Sequence, residues 1–200
     1  MKLFKNIKKW LENQEHLFYL FLLILIVPNI ILCFTEPMPV VAKVCNVLLP
    51  FAFYYLLMTL SRNCGKMFWI LFLFIFFGAF QIVLLYLFGQ SIIAVDMFLN
   101  LVTTNSSEAM ELLDNLVPAL VSVIILYIPA LILAAISIIK KRKLSSEFIR
   151  RERKKAWIAL LIGFISLGAA YGLDKRYELK SDLYPANVCY NVALRSEEHT

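Results

Sequence analysis

Five long apolar runs divide the chain, at 17–34, 44–60, 67–89, 117–139 and 156–173, and none contains Asp, Glu, Lys or Arg. Each approaches the ~20 residues an α-helix needs to cross about 30 Å of hydrocarbon at a rise of about 1.5 Å per residue. The runs lack the period-two alternation of a lipid-facing barrel strand. Backbone in lipid has to satisfy its own hydrogen bonds, so they predict helices. Pro28, Pro50 and Pro129 fall inside three of the runs and predict kinks, because proline cannot donate to the carbonyl four residues back. On the last run Gly168 and Gly172 form a GxxxG, with Gly163 nearby, and predict a close helix–helix approach within the bundle. The expected fold is an all-α integral membrane bundle of five transmembrane helices occupying residues 1–173. Residues 174–200 are expected as a linker beyond the last span.

The connector at 91–116 breaks the pattern. Ile92, Ile93, Val95, Phe98, Leu99 and Val102 are too apolar for open solvent, yet Asp96 and Asn100 interrupt them. That mixture predicts a short helix lying in the membrane interface between the third and fourth spans. Asn105 with Glu108 three residues on reads as a capping box opening a second helix over 106–115. Asn100, Thr104 and Glu108 also recur at four-residue spacing. On one continuous helix they would form a polar stripe with steps of roughly 6 Å. A cap at Asn105 would interrupt that stripe, so the two geometries compete. In either, an amide, a hydroxyl and a carboxylate stand at headgroup depth. The carboxylate suits a primary ammonium, and the amide and hydroxyl suit a phosphate. On spacing alone, the same residues also read as caps and solvated polar groups.

Charge gives the runs a direction. The short loop 61–66 carries Arg62 and Lys66, the N-terminal tail carries four lysines, and 140–155 carries nine basic residues. Together they hold fifteen of the twenty Lys and Arg, while 91–116 holds none but has Asp96, Glu108, Glu111 and Asp114. Under the positive-inside rule the N-terminus lies in the cytoplasm and the C-terminus on the far side. The net charge of +6 is therefore a topology signal, and nothing resembles a nucleic-acid module. The 140–155 stretch also has the composition of a run that binds anionic lipid or nucleic acid, although a topogenic loop needs no added assumption. With 61% hydrophobic and 17% charged residues and a mean hydropathy of +0.76, a soluble domain could not cover so much apolar surface.

Lys2, Lys5, Lys8 and Lys9 precede the first run as in a signal peptide, but no small-x-small cleavage site follows it, so the first span is expected to stay. Cys33, Cys45, Cys64 and Cys189 show neither CxxC nor metal-ligand spacing. Cys33 and Cys45 both fall near the outer face, where they read either as a disulfide or as two buried small hydrophobes. His16 and His199 are the only histidines, and neither has partners in the pattern that would make a metal site. No metal ligand and no catalytic residue is expected in this chain.

The stretch Phe98-Leu99-Asn100-Leu101-Val102-Thr103-Thr104-Asn105-Ser106-Ser107-Glu108-Ala109-Met110-Glu111-Leu112-Leu113 resembles the outer connector of the lipid A phosphoethanolamine transferases. That family includes the mobile colistin-resistance enzymes. It shares a pattern N-x-x-x-T-x-x-x-E between the third and fourth of five membrane helices, and here the pattern falls on Asn100, Thr104 and Glu108. Tyr184-Pro185 is a weaker echo, where the family chain heads toward its soluble domain. The resemblance implies a bacterial inner-membrane protein with a periplasmic C-terminus. It would move phosphoethanolamine from phosphatidylethanolamine to lipid A or a related envelope glycan, with Asn100, Thr104 and Glu108 holding the donor head group. It also implies zinc and a threonine nucleophile in a soluble catalytic domain that these 200 residues do not contain. Arg195-Ser196-Glu197-Glu198-His199-Thr200 matches one reading frame of a common sequencing adapter, which points to a gene fragment cut before that domain and to a chain inactive alone. Two other classes compete: a small polytopic transporter, which would need polar groups along a path through the spans, and a structural membrane protein without activity.

Overall fold

A computed structural model describes residue 6 and residues 10–35, 40–88 and 106–177. Among them the chain forms six helices and no strand: α1 (Gln14–Thr35), α2 (Val40–Met58), α3 (Cys64–Ile70), α4 (Phe72–Phe88), α5 (Ser106–Ile139) and α6 (Ser146–Tyr177). Three segments, Gln14–Phe34, Val40–Met58 and Leu120–Ile139, are long and apolar enough to cross a membrane. The apolar run at 67–89 is divided by a turn at Leu71, whose N–H bonds back to the Met67 and Trp69 carbonyls. α3 alone, at seven residues, is too short to span, and α4 is described over the 17 residues Phe72–Phe88. The run at 156–173 falls inside the longer α6, which begins ten residues earlier within the basic stretch.

The helices pack in an order different from their order in the chain. α2 lies between α1 and α6, α1 also meets α3, α4 and α5, and α5 rests on α3 and α4. Phe18, Phe21, Met58 and Phe68 are fully buried where these helices converge, and the Phe21 and Phe68 rings stack at 4.5 Å. Large apolar side chains instead face outward along α5 (Ile124, Ile125, Ile128, Ile132) and α6 (Trp157, Ile158, Leu161, Ile165). In water such a surface would drive aggregation; in hydrocarbon it is at no disadvantage.

Glycine sets three of the close approaches. A Cβ on Gly65 of α3 would collide with the Ala134 carbonyl of α5 and meet Ser137 Cβ at 3.0 Å. One on Gly78 of α4 would meet the Pro28 ring at 3.0 Å and the Tyr127 hydroxyl at 3.3 Å, so this glycine makes room for the α1 proline. On α6 it is Gly163 that sits against α2, 3.1 Å from Leu49. Gly168 and Gly172 meet nothing within 4 Å, so the GxxxG expected to pack inside the bundle does not do so among the described residues. One turn earlier, Gly163 supplies the contact.

The basic ends of the helices are tied together. Leu144 N–H donates to Arg62 O at 2.7 Å, Arg62 Nε returns a bond to Leu144 O at 2.9 Å, and Asn63 Nδ2 donates to Arg142 O at 3.0 Å. Arg142 reaches on to Glu12 O at 3.1 Å. Asn63 also caps α3, its Oδ1 accepting from Lys66 N–H at 2.8 Å, as an N-cap asparagine does for an orphan donor. At the end of α5 the Arg142 N–H bonds to Ser137 O and the Lys141 N–H to Ile138 O, the two bonds of a Schellman cap. Lys141 takes the left-handed position at φ 50°, where a side chain costs about 1 kcal/mol that glycine avoids. Lys141→Gly should therefore raise stability by up to about 1 kcal/mol, read as an upward shift in thermal midpoint in detergent.

Candidate functional site

Asn100 and Thr104, and the interfacial helix expected around them, lie outside the described residues. Glu108 falls in the first turn of α5, which starts at Ser106, the start expected from the Asn105 cap. The helix does not end at 115. It continues through Pro118 and Pro129 to Ile139, because no glycine stop follows Asn115 and opening the backbone at the edge of lipid would strand polar groups. Glu108 precedes the apolar segment Leu120–Ile139 by roughly 18 Å of helix at about 1.5 Å per residue.

The best-developed polar cluster lies at the basic ends of the helices and surrounds Glu152. Its side chain is 0% exposed, held in the first turns of α6 on the face formed with Phe148 and Ala156, both buried. The Tyr55 hydroxyl of α2 donates to Glu152 Oε2. Arg151 Nε donates to Oε1 at 2.8 Å, and Lys155 Nζ donates to Oε1 at 2.9 Å. Arg151 also lies over the Phe148 ring, 5.3 Å from its centroid, and Phe148 meets Phe18 edge to face at 5.5 Å. Burial alone would push the Glu152 carboxyl up. The hydrogen bonds from Tyr55, Lys155, Arg151 and Tyr19 outweigh it and hold the pKa down at about 2, against an ordinary 4.5. A carboxylate so saturated with donors does not exchange protons near neutral pH. It serves as a clamp joining α6 to α2. Arg153 adds a second tie, donating to Thr59 O at 2.6 Å.

Two further polar groups join helices. Asn29 and Asn46, both buried, exchange bonds across α1 and α2: Asn29 Nδ2 to Asn46 Oδ1 at 3.2 Å and Asn46 Nδ2 to Asn29 O at 3.1 Å. Interhelical amides of this kind hold spans together in lipid. Beside them Cys33 donates to Lys43 O at 3.4 Å, and the described cysteines Cys33, Cys45 and Cys64 are all free thiols. Gln14 Oε1 accepts from Ser137 Oγ at 2.7 Å and from the Cys64 thiol at 3.5 Å. That thiol is buried in the first turn of α3. Cys64 should resist maleimide at pH 7 in the folded protein and label after denaturation, whereas cysteine placed at the exposed Lys66 should label at once.

His16 is not without partners: its ring stacks on Trp10 at 4.9 Å, and its Nδ1 lies 3.2 Å from Trp10 O. It is thus engaged locally. Among the described residues no three of His, Cys, Asp and Glu converge.

The Glu152 clamp left a signal in the sequence that composition hides. Glu152 is the lone acid in the run from Arg150 to Lys155, and Phe148, Glu152 and Ala156 share one helical face. That spacing becomes informative only once α6 is known to begin at Ser146, well before the apolar run. Compared with family models, curated proteins and solved structures, the chain matches none.

Proposed function

We propose that the chain is the membrane domain of a phosphoethanolamine transferase, with five membrane-crossing segments, a cytoplasmic N-terminus and a periplasmic C-terminus. The pattern Asn100, Thr104, Glu108, which in sequence precedes the fourth apolar run and ends in the first turn of the helix that carries it, carries this assignment. The helical organisation supports it in two ways. The third segment is supplied by α3 and α4 in series, and the fifth by the apolar part of α6. Glu108 belongs to the first turn of α5, ahead of that helix's apolar segment on the side where the donor lipid is presented. There the carboxylate pairs with the primary ammonium of phosphatidylethanolamine, and the amide and hydroxyl of Asn100 and Thr104 take its phosphate.

Transfer to lipid A or a related envelope glycan then needs a nucleophile and zinc, which belong to a soluble domain following these helices. The membrane segment contributes donor binding and no bond-making step. Expressed alone in a host lacking its own transferases, the 200-residue chain should leave lipid A unmodified by mass spectrometry. A parent protein carrying the soluble domain should add phosphoethanolamine. Addition by the short chain, or none by the parent, would overturn the assignment.

A further inference from the structure

We propose that the basic face of the bundle holds anionic phospholipid head groups, with Lys66, Lys140, Lys141, Lys143, Arg150 and Lys154 as the phosphate-facing cations. The structure sorts the basic residues of this face into two sets. Arg62, Arg142 and Arg153 are committed to backbone carbonyls, and Arg151 and Lys155 are committed to Glu152. The other six are exposed, and among the described residues their side chains have no hydrogen-bond or ion-pair partner. The exposed acids nearby, Glu12, Glu15 and Glu147, are fewer, so the face keeps a surplus of positive charge.

Depth identifies the partner. Lys140 directly follows Ile139, 77% exposed, at the end of an apolar segment, and Lys154 lies three residues before Trp157, 58% exposed, where the outward apolar surface of α6 begins. Three residues of helix rise only about 4.5 Å, which fixes the ammonium groups at the level of lipid phosphates. A nucleic acid would need a surface standing clear of the head groups. Lys141 adds an independent indication: it occupies the left-handed cap position where glycine would be unstrained, so a cation stands there against the local backbone preference. The ties through Arg62, Arg142 and Arg153 hold the loop at 140–145 and the start of α6 against the turn that follows α2 and against Glu12, so the free cations are presented on a braced surface. Long cationic side chains at such a level reach phosphates readily.

Native mass spectrometry of the full chain, released from micelles containing equal phosphatidylglycerol and phosphatidylcholine, tests this. Wild type should retain phosphatidylglycerol on the order of tenfold over phosphatidylcholine, and the preference should collapse in high salt before release. In the variant combining Lys140→Gln, Lys141→Gln, Lys143→Gln, Arg150→Gln and Lys154→Gln it should fall to parity, and the matching all-arginine variant should keep it. Removing positive charge can invert insertion, so wild type alone suffices to decide: equal retention of the two lipids at low salt overturns the proposal. A preference that survives both high salt and the glutamine variant overturns it as well.

Discussion

Glu152→Leu should destabilise the folded bundle by about 1–3 kcal/mol, with the loss traced to Tyr55 and not to the surface cations. Arg151 and Lys155 are 60% and 53% exposed, so each returns to water at little cost when its partner goes. The Tyr55 hydroxyl is buried between α2 and α6 and would lose its acceptor, and an unsatisfied buried donor costs about 1–3 kcal/mol. Thermal unfolding in detergent, followed by circular dichroism, should show a lower midpoint for Glu152→Leu. Tyr55→Phe in that background should cost little more, because the two changes remove one interaction. The carboxylate has a folded pKa of about 2 against an ordinary 4.5. Its stabilisation is therefore present above pH 4.5 and lost as the pH falls toward 2. Wild type should weaken across that window, and Glu152→Leu should lose this part of the acid dependence. An unchanged midpoint with an unchanged acid response would show that the cluster clamps nothing.

The helices were legible because lipid removes the ambiguity that burdens short apolar runs: uncharged stretches near span length have few other structures open to them. The start of α5 at Ser106 was legible too, from a cap residue followed by an acid. What the runs concealed were their edges. α6 starts at Ser146, where polar and basic residues look like loop, because the buried side of its first turns comprises few residues, Phe148, Ile149, Glu152 and Ala156. The turn at Leu71 left no mark, since no proline, glycine or charge stands there. The glycine contacts were half legible. Spacing drew attention to Gly168 and Gly172, but which glycine meets a neighbour depends on the rotation of α6 against α2, which only packing decides. Cys64 stands in sequence within the basic loop at 61–66 and is buried on the first turn of α3, a placement that only packing decides.

Glu108→Gln in a parent transferase should lower phosphoethanolamine transfer on the order of tenfold to a hundredfold while leaving thermal stability nearly unchanged. Glutamine keeps the shape of the side chain and its reach toward the Asn105 amide, so a capping role would survive the change. It loses the negative charge that we propose pairs with the donor ammonium. A charge-assisted hydrogen bond contributes about 1.5–3 kcal/mol, which converts to that range of affinity. The variant should also lose preference for phosphatidylethanolamine over phosphatidylglycerol. The most direct measurement is lipid A mass spectrometry on wild type and Glu108→Gln, with unfolding midpoints taken beside it. A steep fall in transfer at equal stability is the result expected of a donor-binding carboxylate. Equal transfer at equal stability would contradict that role and leave Glu108 as a helix cap.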